Sequence, residues 1–194
     1  MSVYEFLGRI IAAPLDETLL FNVSDSGFWE ALRPKLENAR TFAAFHNIEK
    51  AVAKISDIAE EKREAALNIE YGKMFCGEHP VMPAVESAYG MQAASVLDVA
   101  AELGVESSLP DNLPAEHLAF ELLMLSAVEE GRKLDASQLA KLADFFEKHP
   151  IALANAMLKA APANACKTTG FYQAIVQFAA AWLQWDLDAF EQAS

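Results

Sequence analysis

Three residues near the middle of the chain have the types and spacing to move protons, hold a metal or grip a cation. They are Glu116, His117 and Glu121, in "LPAEHLAFELLML" at 113–125. His117 and Glu121 stand one helical turn apart, a spacing that could place two ligands on one face. No HExxH accompanies them, and the chain has only four histidines, His46, His79, His117 and His149. A metal site would need His79 or His149 to be brought in by folding, so none is expected. Glu116 and His117 are adjacent, so on a helix they point roughly 100° apart and make no catalytic dyad with each other. Taken alone, His117 reads as a hydrogen-bonded histidine near a helix start.

Other chemistries find less support. Cys76 and Cys166 lie far apart outside any CxxC pattern, which argues against a disulfide framework or thiolate zinc and suits a reducing cytoplasm. "CKTTG" at 166–170 has no preceding glycines and no strand to launch a phosphate loop; Lys167 reads as lying near a helix start, with Thr168 or Thr169 capping. No GxSxG is present. No catalytic residue and no cofactor are assigned.

The elements that must position these residues are helical. Val3, Phe6, Leu7, Ile10 and Ile11 form a stripe that ends at Pro14. "NIEKAVAKISDIAEE" repeats the pattern, with Asn47 as the expected N-cap. "SQLAKLADFFEKHP" carries Leu139, Leu142, Phe145 and Phe146, and Pro150 breaks that helix or begins the next segment. In "TTGFYQAIVQFAAAWLQWD", Phe171, Ile175, Phe178, Trp182 and Trp185 make one stripe. Tyr172, Val176, Ala179 and Leu183 make a second beside it, so this helix is expected at the centre. Strict alternation and hairpin signals are absent. The expected fold is all-α, a single domain of about ten helices over 1–194, a length that buries roughly 70% of the unfolded surface. Two loops interrupt it: "FCGEHPVMPAVES", and "GVESSLPDNLPAEH", where Asp111 or Asn112 is the expected cap of the next helix.

The chain carries a net charge of −13 with 53% hydrophobic residues, a balance that disfavours nucleic acid and anionic membrane as partners. Its N-terminus lacks a basic n-region and reads as a first helix. No run is long enough to cross a bilayer, so a soluble chain with no integral membrane segment is expected. Charge is unevenly placed. From 74 to 131 there are ten of the 28 acidic residues and none of the 15 basic ones. Like charges without counter-charges repel, so this block invites a cationic partner.

Four segments occur in order: "YGKMFCG" (71–77), "MPAVESAYG" (82–90), "LPAEHLAFELLML" (113–125) and "GFYQAIVQFAAAWLQWD" (170–186). Together they resemble the TorD/DmsD family of cytoplasmic chaperones for twin-arginine-exported redox enzymes, over roughly 3–187. Tyr71, Met74, Phe75 and Gly77 resemble its aromatic-x-x-Leu-Phe-x-Gly. Pro83, Ser87 and Tyr89 resemble its Pro-Pro-Trp-x-Ser-x-Tyr. Pro114, Glu116 and His117 resemble the end of its Glu-Pro-x-Asp-His. Leu113 stands where that signature has Glu, Glu116 where it has Asp, and Ala84 and Val85 where the family has its second Pro and Trp.

The resemblance implies a TorD-like all-α fold and binding without catalysis: a cytoplasmic chaperone holding the twin-arginine leader and apoenzyme of a molybdenum-cofactor oxidoreductase until the cofactor is inserted. It implies a peptide site at Phe75, Val85, Ser87, Tyr89, Leu113, Glu116, His117 and Glu121. Glu116 would accept from a guanidinium, and Phe75, Val85, Tyr89 and Leu113 would line an apolar groove. Monomer and domain-swapped dimer are both open, with 107–114 as a conceivable hinge. Two other readings stand beside this one. One is an adaptor for the mature client domain only; the other is an α-helical hydrolase or a nucleotide-dependent enzyme using His117 with Glu116 and Glu121.

Overall fold

Short polar side chains open half of the described helices by taking up the free N–H groups of the first turn. The computed structural model describes residues 2–33, 36, 38–91, 96–105, 110, 112–131, 134–162 and 168–193. Ser2 caps α1 (Val3–Ala12), Asp16 caps α2 (Glu17–Ser24) and Asp25 caps α3 (Ser26–Leu32). Asn38 caps α4 (Ala39–Ser56), accepting from the Thr41 N–H at 2.9 Å. Asn47, the cap expected from the sequence, lies inside α4 and donates to Gln177 instead. The helical pattern begins earlier than its apolar stripe, because 39–47 carries only part of the buried face.

After α5 (Glu60–Phe75) the chain runs through the first proline-containing loop to a 3-10 turn, Glu86–Tyr89. It continues as α6 (Val96–Leu103), α7 (Leu118–Glu130) and α8 (Ala136–Phe146), the last opened by a reciprocal Asp135–Gln138 capping box. Pro150 neither stops α8 nor starts a separate segment. Lacking an N–H, it cannot donate to the carbonyl one turn back, and the helix widens into a π turn, Glu147–Ile151. That turn runs directly into α9 (Ala152–Ala160), and α10 (Phe171–Ala193) closes the fold. The fold is all-α, as the periodicity predicts, with ten α-helices among the described residues.

One apolar cluster extends from Tyr4 to Leu187. α10 is central, with Phe171, Tyr172, Ile175, Val176, Phe178, Ala179 and Leu183 fully buried; it packs along α4 and touches α1, α5, α8 and α9. Trp29 is the hub of an aromatic array, with edge contacts to Phe6, Phe45 and Phe171 and its indole N–H donated to the Val23 carbonyl at 2.9 Å. α1 lies along α7. The approach is close at Gly8, where an added Cβ would come within 2.9 Å of Leu123 Cγ and 3.2 Å of the Ala119 carbonyl. This contact fixes α7, and through it the loop that carries Glu116 and His117.

Candidate functional site

The two loops that interrupt the helical pattern are joined. Val85 and His117 form an isolated antiparallel bridge. The Glu86 N–H donates to the Glu116 carbonyl at 3.1 Å, and the Leu118 N–H to the Ala84 carbonyl at 2.9 Å. The Val81 and Met82 N–H groups donate to the carbonyls of Lys73 and Met74, anchoring the first loop to the end of α5. Segments some thirty residues apart in sequence thus form one surface.

Glu116 is half-buried and held by the opposite loop. Its Oε2 accepts the Ser87 N–H at 3.0 Å and its Oε1 accepts the Ser87 hydroxyl at 2.9 Å. Each carboxylate oxygen has a second lone pair for an incoming donor. His117 is the N-cap of α7: its Nδ1 accepts from the Ala119 N–H at 3.1 Å. Burial lowers its pKa to about 4, against a smaller upward pull from the Glu116 charge. The cap of α7 is therefore His117, not Asn112; Asp111 lies outside the described residues, as do Glu106, Cys166, Lys167 and 107–109 of the expected hinge.

Beneath this surface sits a second group. Glu86, adjacent to Ser87 in the same turn, points inward and is fully buried; its Oε1 lies 2.7 Å from His149 Nδ1, supplied by the π turn. His149 in turn stacks on Phe145. Glu121, one turn into α7, is also fully buried. Neither of its carboxylate oxygens, nor Glu86 Oε2, has a hydrogen-bond partner among the described residues. Burial pushes the Glu121 carboxyl well above the usual range, and the nearby charges of Glu86 and Glu116 push it the same way.

The structure thus brings Val85, Ser87, Glu116 and His117 together, with Glu121 behind them. Tyr89 ends the 3-10 turn half-buried, and burial pushes its phenol up to about 12. Leu113 packs partly buried against the core. Phe75 is buried in an aromatic trio with Tyr71 and Tyr172. The acidic block is not one wall. Glu102 pairs with Lys141, Glu129 and Glu130 line separate cavities, and Glu86, Glu116 and Glu121 converge.

An apolar cavity of about 450 Å³ lies at the far end of α7. It is lined by Leu125, Val128, Leu134, Leu142, Phe146 and Phe190, with Glu129 and Asp186 supplying carboxylates. Asp186 accepts from the Tyr4 hydroxyl.

Sequence reasoning did not single out Glu86, and it named His149 only as a histidine that folding would have to bring in. Glu86 was visible as one acid among ten. His149 carried one local signal, the proline that follows it and deforms the helix.

The family model described as nitrate reductase delta subunit matches residues 43–156, which include the bridged loops and all three buried residues. No curated protein and no solved structure matches the chain.

Proposed function

The chain belongs to the nitrate reductase delta subunit family, and on that premise we propose that it is a cytoplasmic maturation chaperone that holds the leader and apo form of a molybdenum-cofactor oxidoreductase. The family is one of molybdoenzyme maturation chaperones, in keeping with the resemblance to TorD/DmsD proteins drawn from the four motifs. Among the described residues no helix is long and apolar enough to cross a membrane.

The observation that carries the leader-binding reading is the position of Glu116. It is an acid at the junction of two bridged loops, braced by Ser87 on one side and reachable from solvent on the other. Nothing cationic lies in the sequence from 74 to 131 to neutralise it. A guanidinium arriving there gains a charge-assisted hydrogen bond, worth about 1.5–3 kcal/mol net. Ser87 and Val85 flank it, and Tyr89 and Leu113 supply partly buried apolar surface nearby in the same loops. Phe75 and Glu121 support this surface from behind, since both are buried.

The hydrolase alternative is weakened by His117 itself. With Nδ1 engaged as a helix cap and a pKa near 4, its proton affinity is too low for a general base working near neutrality.

Calorimetric titration of the full chain with a twin-arginine leader tests the reading. Binding in the micromolar range, about −8 kcal/mol, is expected. No heat with any leader from the same genome, with the protein folded, overturns leader recognition. Binding of a client that lacks its leader, and not of the leader alone, establishes the adaptor reading instead.

A further inference from the structure

We propose that Glu86, Glu121 and His149 form a binding site for a first-row divalent cation of the zinc class. One ligand atom from each lies within 4.8 Å of the other two, and all three residues are buried. They come from three separate elements, the 3-10 turn, α7 and the π turn, so the juxtaposition is made by the fold and not by local sequence.

A cluster of acids alone would say little. Here Glu121 is completely enclosed, and its two oxygens have no hydrogen-bond partner among the described residues while facing Glu86 and His149. Glu86 Oε2 is likewise unmatched. Buried carboxylates in this condition need a proton or a cation, because nothing else offsets the loss of water. Two carboxylates and one imidazole are a three-ligand set suited to zinc, with a fourth position left for a small molecule. Ligand atoms about 2.0–2.2 Å from one ion lie roughly 3.2–3.6 Å apart. Binding would therefore open the 2.7 Å Glu86–His149 contact and draw in any ligand atom that now lies as far as 4.8 Å from the others.

The 2.7 Å Glu86–His149 contact is bridged by a proton. The cation takes its place at His149 Nδ1: a neutral imidazole then carries its proton on Nε2, and any proton in excess of that, including one on Glu121, goes to solvent. Glu86 is followed directly by two exposed residues, Ser87 and Ala88, so the cluster lies close to the surface along the chain.

The test uses the full chain after exhaustive chelation. Zn²⁺ is titrated calorimetrically, and Co²⁺ is followed by its visible absorption. One ion per chain is expected, with affinity falling at least tenfold in Glu86→Gln and in Glu121→Gln. A Cys76→Ser/His79→Ala double variant controls for the exposed loop and should bind as wild type. If a glutamine variant fails to fold by circular dichroism, X-ray absorption of the zinc-loaded wild type decides. One imidazole with otherwise oxygen ligands upholds the site; sulfur, or several imidazoles, overturns it. So does failure of the folded wild type to take up either ion, or uptake unchanged in a folded Glu121→Gln protein.

Discussion

Glu70, fully buried on α5, accepts both the backbone N–H and the hydroxyl of Thr169, at 3.0 and 2.6 Å, just before α10 begins. The same carboxylate accepts the Tyr172 N–H at 3.2 Å, while the Thr169 hydroxyl oxygen accepts the Phe171 N–H at 3.1 Å. The free donors of the central helix are thus met by an acid from another helix. Glu70→Ala would strand several of them in the core. A loss of about 2–4 kcal/mol is expected, read as a lower urea midpoint with an unchanged slope.

Acid should loosen the fold through His117. Its folded pKa is near 4 against an unfolded value of about 6.5, so between these values the unfolded chain binds more protons. The contribution is complete above pH 6.5 and disappears as pH falls to about 4. His117→Asn keeps an acceptor at the cap but does not titrate. Stability curves of the two proteins should diverge across this window, with the wild type falling more steeply; parallel curves would remove His117 as the cause.

Gly8 permits the close approach of α1 to α7. Gly8→Val places Cβ within 2.9 Å of Leu123 Cγ without the helix-propensity gain of alanine. Thermal unfolding should show a destabilisation of about 1–3 kcal/mol.

Leader recognition should depend on the Glu116 charge more than on its shape. Glu116→Gln keeps one acceptor for Ser87 and so should leave the fold intact. Leader affinity should drop about tenfold, or ~1.4 kcal/mol. Affinity for the wild type should also fall as salt is raised from low to physiological strength, since exposed ion pairs are screened. An affinity indifferent to salt would contradict the ionic contact.

The helical class and the central position of α10 were legible because repeated apolar residues at helical spacing impose one buried face, and α10 carries two such stripes. The capping of α4 was misread for the complementary reason. Asn47 precedes a strong stripe, but Asn38 begins a weaker stretch whose helicity depends on tertiary contacts with α10. At the site, Glu116 and His117 stood out through their neighbours in the chain. Glu86 and His149 did not, since the contact between them spans 63 positions and rests on a proline-induced π turn that no periodicity encodes. Likewise the breakup of the acidic block, with Glu102 turned to Lys141 and Glu121 turned inward, is set by which side of each helix packs.

Glu86 and Ser87 are consecutive residues of one turn, the first committed to the interior and the second to the rim. Successive side chains on so short a rung share a backbone, so a shift of the turn itself moves both. A ligand that shifts the backbone at Glu86 would therefore alter the affinity felt at Glu116, and thermodynamic reciprocity then demands the converse by the same factor. The hinge of such linkage would be a single peptide unit.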